Sequence, residues 1–69
     1  MIVSQLLHTI YREDLIRIVD KNLPISSMII FEGEVRGIKR DNPINKMHVK
    51  SIFTDGGVIH IIAEKAVAK

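Results

Sequence analysis

The spacing of hydrophobic and polar positions changes along this 69-residue chain and divides it into three elements. From Ile2 to Val19 the apolar residues recur every three or four positions, which predicts an amphipathic helix over about residues 3–21. Asn22 and Pro24 are typical of the end of such a helix. Helices on membrane surfaces share this stripe, but the mixed charges of the polar side favour a helix that faces a core. His8 and Arg12 are predicted to lie on the polar side. The predicted apolar stripe contains Val3, Leu7, Ile10, Tyr11, Leu15 and Ile18, with Leu6 and Val19 at its margins.

The second segment, residues 26–40, contains the apolar run Met28 to Phe31, then Glu32-Gly33, then an alternating return. This pattern predicts a β-hairpin whose turn is Glu32-Gly33, with Gly33 supplying the positive φ that such a turn requires. In this register both sides of the hairpin carry large apolar groups, because neighbouring residues of a strand point to opposite faces.

A loop is predicted over residues 41–46, because Asn42-Pro43 is typical of turns. A second hairpin is predicted over residues 47–64, because an alternating segment is followed by Asp55-Gly56, a strong turn signal. With that turn, Phe53 faces Val58 and Ser51 faces His60. Residues 65–69 are predicted to be a short frayed tail.

These elements predict a single α+β domain over residues 1–69, in which the N-terminal helix packs on a four-stranded antiparallel sheet of two hairpins. The alternative is a small bent β-barrel capped by the helix. One helix covers only one face of a sheet, and neither hairpin shows clean alternation of apolar and polar residues. We therefore expect an exposed apolar interface, with the side that carries Phe53, Val58 and Ile62 under the helix. The predicted interface consists of Ile52, Ile59, Ile61, Ile29 and Phe31.

Composition favours self-association as the source of added stability. A chain of this length buries only about 60% of its unfolded surface, and small domains usually gain stability from disulfides, metals or partners. The sequence has no cysteine, which excludes disulfides. A homo-oligomer, most simply a dimer, is therefore expected. No apolar run is long enough to cross a membrane and no signal peptide is recognisable, so we expect a cytoplasmic protein.

No motif in the sequence indicates a catalytic site or a metal site. His8, His48 and His60 are scattered, without the spacing of a metal site, and His60 near Ser51 has no third group to orient it. We expect no catalytic residues, no metal and no cofactor. A non-enzymatic interaction module is the function that this pattern favours.

One basic segment suggests alternatives. The residues Arg36, Lys39, Arg40, Lys46 and Lys50 lie within fifteen positions, with Asp41 the only acid among them. Such a patch is typical of nucleic-acid binding, although Lys and Arg on edge strands also prevent stray strand pairing. A further alternative is a small anionic ligand that these residues hold in a pocket between subunits.

The segments LIRIVDKNLP, MIIFEGEVRGI and IFTDGGVIHII together resemble the layout of short bacteriophage-encoded α+β proteins of unknown function. In those proteins an N-terminal helix ends before a proline, and hairpins with glycine-containing turns follow. The resemblance covers most of the chain and implies a small intracellular accessory protein. It assigns no site residue.

Overall fold

The computed structural model describes residues 1–65, which form a four-stranded mixed sheet covered on one face. The order of the strands across the sheet is β2-β1-β4-β3, with β1 and β4 parallel and the two outer pairs antiparallel. The structure confirms an α+β fold with a mostly antiparallel sheet, but the sheet has two edges and is not the closed barrel of the alternative. The strands are β1 (Leu15–Asp20), β2 (Ile29–Glu34), β3 (His48–Asp55) and β4 (Val58–Glu64).

The predicted helix over residues 3–21 is wrong. The helix α1 spans only Val3–Leu7, and the segment from Leu15 onward is the central strand β1. Ile16 and Ile18 are fully buried and Arg17 between them is not, which is the period of two that a strand requires. Neighbours on both sides, β2 and β4, supply the hydrogen bonds that an isolated helix would have satisfied internally.

The first predicted hairpin, residues 26–40, is also absent. Strand β2 continues through Glu32-Gly33 and pairs with β1, so that Gly33 lies beside Ile16. A 3₁₀ turn, Val35–Gly37, follows in place of a returning strand. Gly33 does have a positive φ of 147°, but it adopts this φ within the strand and not at a turn.

The second hairpin is formed by β3 and β4, with Gly56 and Gly57 at its turn in place of Asp55-Gly56. The register therefore differs by two residues from the predicted one: Phe53 pairs with His60, and Ser51 pairs with Ile62. Ser51 and His60 are not opposite each other. A bulge between Val49 and Ser51 changes the side to which β3 residues point.

The core lies on one face of the sheet. Helix α1 and the 3₁₀ turns Val35–Gly37 and Pro43–Lys46 cover that face. Backbone hydrogen bonds attach the start of the chain to this layer, from Val3 N to Met47 O at 2.9 Å and from Val49 N to Met1 O at 2.9 Å. The buried apolar residues are Val3, Leu6, Ile16, Ile18, Val35, Ile44, Met47, Ile61 and Ala63.

Of the predicted tail, Lys65 is exposed beyond the end of β4, and residues 66–69 lie outside the described residues.

Candidate functional site

The sheet face opposite the core, which we call the open face, is defined by the alternate strand positions that none of the covering segments shields. In β1 these positions are Leu15, Arg17 and Val19, and none of them is buried. Their partners follow from the register, because residues paired across a sheet share a face. The open face also carries Ile29, Glu32, Glu34, His48, Ser51, Phe53, Asp55, Val58, His60, Ile62 and Glu64.

Apolar groups cross the open face from one edge strand toward the other. Ile29, Val19 and Ile62 lie side by side on three adjacent strands. Leu15, Ile29 and Phe53 have 49%, 50% and 49% of their surfaces exposed. These side chains form an apolar surface that the described part of the chain leaves uncovered.

The middle of the open face also contains an ion pair and an aromatic stack. Arg17 donates from Nε to Glu32 Oε2 at 2.5 Å, with both side chains partly exposed. Beside Arg17 on the neighbouring strand, the rings of Phe53 and His60 are stacked, with centroids 4.7 Å apart and planes 2° from parallel. Arg17 is therefore paired with Glu32, and His60 is stacked on Phe53, within the same chain.

The two ends of the open face carry opposite charge. At the end of β1, Glu64 lies between Lys21 and Lys50, with nitrogen–oxygen distances of 3.8 Å and 3.3 Å. At the start of β1, Asp55 pairs across the hairpin with Val58, and the Glu34 carboxylate accepts from Arg36 Nη2 at 3.0 Å. Two lysines and one glutamate leave the first end positive, while Asp55 leaves the second end negative.

The predicted interface residues do not share one surface. Ile29 lies on the open face, but Phe31 packs against the core and Ile59 does so partly. Ile61 is fully buried, so the prediction that its side of the hairpin is uncovered is wrong. Ile52 is on the same side as Ile61 yet remains 45% exposed, because β3 is an edge strand.

A groove on the covered side of the sheet, which we call the basic groove, has a volume of about 670 Å³. Apolar parts of its lining come from Ile2, Leu7 and Ile38. Its basic lining comes from separate parts of the chain, and no Asp or Glu among residues 1–65 contributes to it. The basic residues of the lining are Arg12, Arg36, Arg40 and Lys46, together with His8.

Backbone hydrogen bonds hold the segments of the basic groove together. Arg36 N donates to Arg12 O at 3.0 Å, which joins the loop before β1 to the 3₁₀ turn after β2. The Asn45 amide donates from Nδ2 to the carbonyl oxygens of Lys39 and Arg40 at 2.8 Å and 3.1 Å. Asn42 Oδ1 accepts from Ile44 N at 3.0 Å and so begins the turn that carries Lys46. Short polar side chains therefore fix the backbone beneath the cations.

The structure brings together part of the predicted basic patch. Arg36, Arg40 and Lys46 line the basic groove, whereas Lys39 is exposed outside its lining. Lys50 is on β3 and interacts with Glu64. The sequence-based interpretation missed His8 and Arg12, because it placed both on the outer side of a long helix. No local signal places Arg12 beside Arg36, since their contact joins distant segments.

An apolar depression of about 540 Å³ lies at the end of β1, where Leu23, Ile30, Ile44 and Met47 form part of its lining. Asp20, the one buried charged residue of residues 1–65, also contributes. Its Oδ1 accepts from Asn22 N at 2.9 Å, and its backbone oxygen accepts from Leu23 N at 3.1 Å. These two hydrogen bonds show that Asp20 stabilises the turn after β1.

Within residues 1–65, no group of three or more His, Asp or Glu side chains is placed to hold a metal ion. None of the described helices is long and apolar enough to cross a membrane.

Comparisons of the chain with protein-family models, with curated proteins and with solved structures find no significant match. The fold and the two surfaces are therefore the basis for a function, and the resemblance to short bacteriophage proteins stays a prediction.

Proposed function

We propose that this protein is a small non-enzymatic interaction module that self-associates through its open face. The observation that carries the proposal is the apolar row of Ile29, Val19 and Ile62, with the half-exposed Leu15 and Phe53 on the same face of the sheet. The core formed by the described residues lies on the opposite face. Contiguous apolar surface of this kind is typical of protein–protein contacts, because water is released when it is covered.

A second copy of the chain is the partner that the charges of the open face favour. Most homodimers have a twofold axis, so each surface meets its own image. If two open faces meet with their β1 strands antiparallel, the positive end around Lys21 and Lys50 lies over the negative end at Asp55 of the other copy. The Arg17–Glu32 pair in the middle has no net charge, so the middles of the two faces meet without repulsion between net charges.

The test is the mass in solution by sedimentation equilibrium at micromolar concentration, where we expect a dimer. Ile29→Lys should convert the dimer to a monomer, because it places a charge in the apolar row. Ile29 is half exposed, so the folded monomer should tolerate the change.

Ile25→Lys is the matched control. Ile25 is 88% exposed in the 3₁₀ turn Ile25–Ser27 between β1 and β2, outside the sheet, and its replacement should leave the dimer intact. A wild-type protein that sediments as a monomer, or equal effects of the two substitutions, would contradict the proposal.

A further inference from the structure

We propose that the basic groove binds a small organic molecule that carries two or more phosphate charges. This inference is separate from self-association, because the groove lies on the side of the sheet that α1 and the 3₁₀ turns cover. Four cationic side chains and the imidazole of His8 converge there from segments that are distant in sequence. Such convergence concentrates positive potential in a concave surface, which attracts anions more strongly than a flat surface does.

The cations of the groove have few partners of their own. Of the four ion pairs formed within residues 1–65, one involves a groove residue, that between Arg36 and Glu34. Arg12, Arg40 and Lys46 take part in none of them. A bound polyanion would offset the mutual repulsion of these side chains and accept the hydrogen bonds that their nitrogens donate.

Phosphate is the anion that fits this set of donors. Arginine presents a planar fork of N–H groups that matches the oxygens of a phosphate, and three arginines line the groove. A single carboxylate would neutralise only one of the four cations. Ile2, Leu7 and Ile38 provide apolar surface for the organic part of the ligand.

The dimensions of the groove favour a small ligand over a nucleic acid strand. Its volume of about 670 Å³ falls within the range of small-molecule sites. A strand would need a longer cationic track and large aromatic groups for its bases, but no Phe or Tyr of the described residues lines the groove, and Lys50 interacts with Glu64 elsewhere. Tyr11 is exposed next to Arg12 but does not line it.

Isothermal titration calorimetry of the full chain at low salt tests the inference, with ATP as the probe. We expect saturable binding that weakens as salt is added. Arg12→Gln and Arg40→Gln should each reduce the affinity roughly tenfold or more, the effect of losing a hydrogen bond to a charged group. Both side chains are exposed, so the variants should keep the circular dichroism spectrum of the wild type.

Arg17→Gln is the matched control, because it removes the same charge from the open face, and its affinity for ATP should equal that of the wild type. A single-stranded oligonucleotide of ten bases is the second probe. The inference is overturned by absence of ATP binding at low salt, or by equal loss in Arg17→Gln and Arg40→Gln. It is also overturned if the oligonucleotide binds much more tightly than ATP, which would indicate a nucleic-acid surface.

Discussion

At the scale of single residues, the polar groups that the fold buries or pairs serve to shape the backbone. Asp20 is the clearest case, since its side chain is buried at the end of β1 and accepts the N–H of Asn22. Asn42 and Asn45 act similarly in the loop below the basic groove. These short side chains supply hydrogen bonds to the backbone in segments that have little regular secondary structure.

The turn after β1 should depend on the Asp20 acceptor. We expect Asp20→Ala to lower the free energy of unfolding by about 1–3 kcal/mol, because Asn22 N–H loses a charged acceptor in a buried position. Asp20→Asn keeps an acceptor oxygen and should cost less. Urea denaturation of the three proteins measures this, and equal costs for both substitutions would contradict the role given to the side-chain oxygen.

Gly33 has a backbone conformation that favours glycine over other residues. Its φ of 147° lies in a region that residues with a Cβ rarely adopt, so Gly33→Ala should destabilise the fold by about 1–3 kcal/mol. Gly37→Ala is the comparison, because Gly37 has no such φ and an added Cβ would lie 3.2 Å from Phe31 Cζ. Thermal denaturation should show the smaller loss for Gly37→Ala, where the ring can shift. The reverse order would contradict this account.

At the scale of elements, the second hairpin could be predicted from sequence, because the glycines of its turn and the apolar strands beside it are local signals. The first half of the chain could not. In LIRIVD only Ile16, Arg17 and Ile18 alternate, whereas the four apolar residues of the segment together have the spacing of a helical stripe. The information that decides for a strand is the pairing of Ile16 with Ile59, which is not local.

The same reasoning explains what was missed at the sites. Leu15 and Val19 were assigned to the inner stripe of a helix, whereas the strand places them on the open face. Phe53 and Ile62 were placed under that helix for the same reason. Once β1 is a strand, the covering layer is built from α1 and the 3₁₀ turns, and it lies on the Ile61 side.

Alanine substitutions in β1 separate the two interpretations of this segment. We expect Ile18→Ala to cost about 2–5 kcal/mol, because the side chain is fully buried in the centre of the sheet. Leu15→Ala should cost far less, since Leu15 is about half exposed. In the predicted helix both residues belong to the buried stripe, so comparable losses in chemical denaturation would favour the helix.

At the scale of the whole molecule, the sheet separates two surfaces of different character. The open face carries apolar side chains around a central ion pair, with further charges at its ends, and the covered side carries the basic groove. The two proposals are therefore independent. Ile29→Lys should abolish the dimer without changing the affinity for ATP, and Arg40→Gln should lower the affinity for ATP without changing the dimer.

Charge complementarity between two copies gives a further prediction. Asp55→Lys makes both ends of the open face positive, so it should weaken the dimer several-fold at low salt and less at high salt. Asp41→Lys makes the same change at an exposed position in the loop before Pro43. It should leave the dimer constant unchanged in sedimentation equilibrium. Equal effects of the two variants, or a loss that salt does not reduce, would argue against the antiparallel arrangement of the two faces.

The parallel contact between β1 and β4 has a consequence for the protein during synthesis. The central strand β1 gains its second neighbour only after Val58–Glu64 has been made, and Ile61 and Ala63 complete the core from that strand. A ribosome that stalled before Val58 would release a fragment whose β1 has one bare edge and whose Ile16 and Ile18 lack their cover. Bare strand edges beside apolar side chains recruit other chains, so truncated products of this gene should aggregate while the longer chain remains dispersed.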